Sequence, residues 1–291
     1  MKRTNTGLLM VLLVISLVAF LTVIAGAIFY TSFKGEKVRR DLISSDITDK
    51  RISELENELR KLKDNKPSLT PEQISAVVEL WCPDDNYNKT GFLSVGSGTI
   101  ISEKGIIFTN RHVVSNEDWS IIKSSPTCYV GITDDISQPS KFKYLADIVA
   151  FAPQTDDFFD FDVAVLRIYD VCHDCPEAPS SLPEKFPYLE IGSSVSLVPG
   201  NYVAIVGYPE IGAGTWNFTD GIISGRVGDF VLKTDAKIDS GNSGGAAINA
   251  ENELIGIPTW IISGQAESIG YVIEIDDVYK WFQEKVLSKI K

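Results

Sequence analysis

Two textures divide the chain. From Leu8 to Tyr30, "LLMVLLVISLVAFLTVIAGAIFY", no charge interrupts an apolar run. Such a stretch suffices to cross a hydrocarbon core of about 30 Å as a helix. Behind it the pattern turns amphipathic. Ile52, Leu55, Leu59 and Leu62 are spaced 3, 4 and 3 within a segment containing "SELENELRKLK", which predicts a short stalk helix. Two heptads allow a homo-oligomer through this helix without requiring one. "KPSLTPEQ" then breaks the pattern: Pro67 and Pro71, with Ser68 and Thr70, end one element and cap the next.

From Ser68 onward the hydrophobic positions fall in short β-branched runs punctuated by glycine. Examples are "FLSVGSGTIIS", "GIIFTN", "CYVGIT", "DVAVLRI", "YVAIVGY", "GIISGRV", "ELIGIPTWI" and "SIGYVIEI". Runs of this length with frequent turn signals predict an all-β body, either a pair of packed barrels or a large sandwich. The proline-rich "CHDCPEAPSSLPEKFP", Cys172 to Pro187, has no strand pattern and reads as the connection between two halves. "DDVYKWFQEKVLSKI" predicts one amphipathic helix at the end. The expected division is therefore 1–33 membrane anchor, 34–67 helical stalk or linker, and 68–291 globular domain.

Charge narrows the partners. A net charge of -12 argues against nucleic acid, because phosphate binding needs clustered Lys and Arg. The competing reading of the N-terminal run is a cleaved signal peptide, since Ala25, Gly26 and Ala27 offer an A-x-A-like site. Its length exceeds an ordinary signal core, which favours a single-pass anchor. Lys34, Lys37, Arg39 and Arg40 follow the span while only Lys2 and Arg3 precede it. The positive-inside rule alone would put the body in the cytoplasm. Long domains, however, are translocated largely regardless of charge. Four cysteines also suit an oxidising compartment, so the expected location is extracytoplasmic.

One stretch demands a chemical explanation. In "DSGNSGGAA" Ser243 is crowded by Gly241, Gly244 and Gly245, which would weaken any packed strand. A nucleophilic serine needs such surroundings, because its hydroxyl must protrude while neighbouring backbone amides face a developing oxyanion. A glycine-rich turn that happens to hold a serine is the alternative. The chain has two histidines. His112, in "FTNRHVVS", stands at a strand end, whereas His173 lies in the acidic "CHDC". A catalytic imidazole needs a carboxylate on its other nitrogen. Asp162, leading into "VAVLRI", is the best candidate. Asp160 would project from the same face of an extended chain and is the rival. Asp156 and Asp157 read as solvated loop charges.

Together "GSGTIISEKGIIFTNRHVV", "FDVAVLRI" and "VLKTDAKIDSGNSGGAAINAENELIGI" resemble the three signature blocks of trypsin-like serine proteases of the HtrA/Deg type, in the order His, Asp, Ser. The resemblance covers about Ser68 to Lys291. It implies two perpendicular six-stranded β-barrels with the active site between them. It also implies His112 as general base, Asp162 as its orienting carboxylate and Ser243 as nucleophile, with Gly241 and Ser243 donating the oxyanion amides. The implied reaction is peptide hydrolysis through an acyl-enzyme, on polypeptide substrates, with no metal or organic cofactor. A membrane-anchored pseudoprotease or holdase that binds unfolded chains without cutting them is the alternative from another class.

Several positions depart from the family pattern. The chain ends soon after "YVIEI", so the PDZ domain that many members carry is not expected. Lys237, six positions before Ser243, stands where enzymes that cut after Lys or Arg carry an acid. That disfavours basic residues before the scissile bond, and Thr259 in "GIPTW" is expected as a wall of a pocket for small apolar ones. Asn242 replaces the aspartate that digestive relatives pair with a new N-terminus. Activation is therefore expected from neighbouring loops, Tyr208 to Gly221 first, rather than from cleavage. Of the three pairings open to four cysteines, Cys172 with Cys175 and Cys82 with Cys128 is preferred. Zinc is disfavoured, because a single CxxC with His173 inside it cannot complete a tetrahedral set.

Overall fold

The computed structural model describes residues 6–63, 68–84, 93–116, 128–155, 159–209, 212, 214–263 and 268–290. Asp156 and Asp157 thus lie outside the described residues, as do Pro67 and, within the Tyr208–Gly221 segment, Glu210, Ile211 and Ala213. The chain divides into two compact units, Met1–Lys66 and Pro67–Lys291.

The first unit is one helix, α1 (Thr6–Lys63), which continues without interruption from the apolar run into the charged segment. Its part Leu13–Lys37 is long and apolar enough to cross a membrane, with a mean hydropathy of 2.5. Ile52 and Leu55 of the heptad pattern are exposed.

The second unit opens with α2 (Pro71–Ala76). Thr70 accepts from the Gln73 amide and Gln73 reaches back to the Thr70 amide, a capping box with proline in the first turn. Among the described residues twelve strands follow: β1 (Val77–Pro83), β2 (Leu93–Ile100), β3 (Ile106–Thr109), β4 (Cys128–Ile132), β5 (Lys141–Phe151), β6 (Ala164–Val171), β7 (Tyr202–Gly207), β8 (Asn217–Val227), β9 (Val231–Thr234), β10 (Ala246–Ile248), β11 (Leu254–Ser263) and β12 (Ser268–Glu274). They close into two antiparallel barrels, ordered β1-β2-β3-β6-β5-β4 and β10-β11-β12-β9-β8-β7. The expected pair of six-stranded barrels is therefore the architecture, and the segment from Cys172 to Asn201 connects them.

Burial on both faces explains the unbroken apolar runs. In β3, Ile107 points into the first barrel while Ile106 and Phe108 join a second cluster shared with the other barrel. In β7, Val203 and Ile205 fill the second barrel, and Ala204 and Val206 face the shared cluster. Alternate residues point to opposite faces, so strands covered on both sides must be apolar throughout. The cysteines pair as preferred, Cys82 with Cys128 and Cys172 with Cys175. Cys82 and Cys128 lie in β1 and β4, which pair directly.

The last segment departs from the single helix that its pattern predicts. It begins as α3 (Ile275–Trp281), passes through a π-turn (Phe282–Val286) and ends in a 3-10 turn (Leu287–Lys289). Val278, Phe282 and Val286 all cover the shared cluster. A strict four-residue spacing drifts around a 3.6-residue helix. The wider π-turn keeps the three side chains on one face.

Candidate active site

β3 and β6 pair antiparallel and bring the ends of two loops together. Beyond β3, residues His112–Val114 form a 3-10 turn whose Val113 and Val114 are fully buried, which fixes the start of the turn. Before β6, the Asp162 amide donates to the Asp160 carbonyl at 2.9 Å and the Val163 amide to Phe161 at 3.0 Å. Successive bonds to the residue two back curl this segment. Asp160 and Asp162 therefore do not share the face that an extended chain would give them.

The curl sends the two aspartates to different partners. Asp162, 3% exposed, receives the His112 amide on Oδ1 at 3.0 Å, and its Oδ2 lies 2.5 Å from the His112 ring Nδ1. The Thr259 hydroxyl adds a third bond, to Oδ2 at 3.1 Å, and Asn110 holds the Asp162 carbonyl at 2.7 Å. Burial pushes the Asp162 carboxyl up. The charge of His112, two hydrogen bonds from it and the nearby Arg111 outweigh burial, so the carboxyl sits below its ordinary range. Asp160 instead pairs with Arg111 and accepts from the amide and hydroxyl of Thr155, both at 3.1 Å. With Nδ1 engaged, His112 has only Nε2 left for a reacting group.

Ser243 comes from the second barrel on a turn shaped by close backbone approach. Gly241 and Gly244 have φ of 91° and 84°, a region that side chains disfavour. A Cβ on Gly244 would stand 2.2 Å from the Ser97 carbonyl and from Thr109 Oγ1. Ser97, in β2, holds the turn from the other barrel. Its amide donates to the Ser243 carbonyl at 2.8 Å and its hydroxyl to the Gly241 carbonyl at 2.6 Å. The Tyr208 amide donates in turn to Ser97 Oγ at 2.8 Å, which ties the segment after β7 to the same turn. Asn242 is 2% exposed and its Oδ1 has no partner among the described residues.

The Ser243 hydroxyl donates to the Thr259 carbonyl at 3.2 Å. No hydrogen bond joins it to His112 among the described residues. Thr259 thus touches both halves of the site, hydroxyl on Asp162 and carbonyl on Ser243. This linking role, like that of Ser97, was missed by sequence reasoning, which read Thr259 only as a pocket wall. Lys237 is exposed, while its neighbour Ile238 packs where a Cβ on Gly270 would stand, 2.7 Å from Cδ1. His173 lies on the surface with Asp170 at 3.6 Å. No cluster of three His, Cys, Asp or Glu that could hold a metal occurs among the described residues.

Residues 96–257, which carry all three of these groups, match the trypsin-like peptidase domain. The chain belongs to that family. Among curated proteins, this trypsin-like chain is 33% identical over 187 residues to a probable periplasmic serine endoprotease DegP-like of Brucella suis, covering 62% of this chain and 30% of the relative. It is 33% identical over 188 residues to the periplasmic serine endoprotease DegP of Salmonella typhimurium, covering 62% and 32%. The counterpart in Chlamydia trachomatis is likewise 33% identical over 183 residues. The match spans less than a third of each of these relatives' length. The sequence resemblance to HtrA/Deg proteases is therefore shown at the level of the trypsin-like domain.

Proposed function

We propose that the chain is a serine endopeptidase of extracytoplasmic protein quality control or regulated proteolysis, with 68–291 as its protease domain and 1–33 as its anchor. Ser243 is the nucleophile. His112 takes the Ser243 proton through Nε2 and returns it to the leaving amine. Asp162 holds the imidazole in the required tautomer and stabilises the imidazolium that forms. The amides of Gly241 and Ser243 donate to the oxyanion, and water releases the acyl group. The single observation that carries this reading is the buried Asp162 carboxylate bonded to both the amide and the ring of His112. The contact of Ser243 with Thr259 instead of His112 is in keeping with unliganded sites, where catalytic hydrogen bonds are often long or misaligned. It is also the one observation that favours the holdase reading. Two disulfides and the periplasmic relatives support the extracytoplasmic location.

A fluorophosphonate probe separates the two readings, because it reacts only with an activated serine. Full-length protein in detergent is expected to carry the adduct on the peptide containing Ser243, and His112→Ala to abolish it. A folded wild type that takes no adduct overturns the protease reading and leaves the holdase.

A further inference from the structure

The row of residues that β1 turns toward the second barrel begins with Val77, which packs in the shared apolar cluster. Two positions on, the same face carries Glu79, 5% exposed, and then Trp81. A buried carboxylate is costly without compensation. Glu79 accepts from Trp81 Nε1 at 3.0 Å on Oε1 and from the Ser140 hydroxyl on Oε2. Both donors are neutral. No ion pair to Glu79 occurs among the described residues. Each oxygen keeps a further lone pair.

This carboxylate lines a groove of about 460 Å³ with Trp81, Phe142, Val95, Tyr208 and Pro209. The rings of Trp81 and Phe142 lie 4.4 Å apart, and the buried Tyr208 closes the groove beside them. A carboxylate beside aromatic faces suits a guanidinium or ammonium, which pairs with the first and stacks on the second.

One residue, Ser97, separates the groove from the Ser243 turn. Glu79 is the direct cross-strand partner of Ser97, the residue that holds the Ser243 carbonyl. Ser243 Oγ, in contrast, faces Thr259 of β11, which no named strand pairs beyond Gly256 on the edge away from β12. An extended peptide that added to that edge and continued past Ser243 would meet the side of the turn that Ser97 holds, where Glu79 is the cross-strand neighbour. The geometry points to a subsite on the leaving-group side of the scissile bond, in which Glu79 and the Trp81–Phe142 pair receive an Arg or Lys side chain of the substrate. This rests on the protease reading and adds to it where the charge of the substrate is recognised.

The test uses full-length protein and internally quenched peptides that carry arginine, citrulline or alanine at each of the first three positions after the cleaved bond. Citrulline keeps the shape and removes the charge. Wild type is expected to prefer arginine over citrulline by about 10-fold in kcat/KM at one of these positions. In Glu79→Gln the same ratio is expected to fall to about 1, as for a local contact rather than attraction by the net charge. If Glu79→Gln does not fold, Phe142→Leu is expected to lower the ratio through the lost ring. A ratio near 1 in wild type, or one unchanged in the variants, overturns the subsite. Anisotropy binding of the same peptides to Ser243→Ala reads the preference without turnover. Should wild type cleave nothing, that binding ratio and its loss in Ser243→Ala/Glu79→Gln still decide the subsite, while the protease reading alone fails.

Discussion

The two barrels hold the proposed reactive groups by different means. In the first, polar side chains do the holding: Asp162 bonds the His112 ring, Asn110 holds the Asp162 carbonyl and Arg111 occupies Asp160, with Thr259 of the second barrel reaching across to the Asp162 carboxylate. In the second, the Ser243 turn is held through its backbone carbonyls by Ser97, with Gly244 and Gly245 letting the chain pass against Ser97 and Val206. The difference follows from what each group must do. A base must be fixed in tautomer and orientation, which takes polar partners. A nucleophile flanked by oxyanion amides must keep those amides free of side chains, which takes glycine. The first barrel should therefore fail through changes of charge, the second through added methyl groups.

The largest expected effect is in the first barrel. Asp162→Asn should lower kcat by about 10⁴, whereas Asp160→Asn, which touches Arg111 and not His112, should change it by less than about 10-fold. Steady-state hydrolysis of one peptide by both variants checks the ranking, and an equal loss would mean that the two aspartates act as one unit. The same contrast has a pH signature. The Asp162 carboxyl is held below its ordinary value in the folded chain, so its stabilisation is full above about pH 4 and lost as pH falls through the lower folded value. Urea midpoints should show wild type losing stability relative to Asp162→Asn in acid, and parallel curves would contradict this.

In the second barrel, Gly244→Ala sets a methyl 2.2 Å from two oxygens at a positive φ. The turn must shift, with a cost of about 1–3 kcal/mol in stability and about 10²–10³ in kcat through misplacement of the proposed oxyanion amides. Thermal unfolding and kinetics together test this, since an unshifted kcat in a destabilised variant would detach the turn from catalysis.

Much of this was legible in advance because burial writes itself into spacing. Strands covered on both faces, as β3 and β7 are, must read as unbroken apolar runs, and glycine crowding around Ser243 has few other uses. What stayed hidden depends on chain paths that no period describes. The curl between Asp160 and Val163 separates two aspartates that an extended chain would place together. Ser97 looks like an ordinary strand residue, and Thr259 like a pocket wall, until the fold brings both against Ser243. Glu79 fits an alternating strand pattern and shows itself only where Ser140 and Tyr208 close over it. The π-turn at Phe282 answers to the shape of the shared cluster rather than to any local residue.

The central claim is that residues from both barrels form one peptide-cleaving centre. Its most direct test is casein digestion by purified full-length wild type and Ser243→Ala, with circular dichroism to verify the fold of each. The account predicts hydrolysis by wild type and none above background by the equally folded variant. Hydrolysis persisting at the wild-type rate in Ser243→Ala would contradict it.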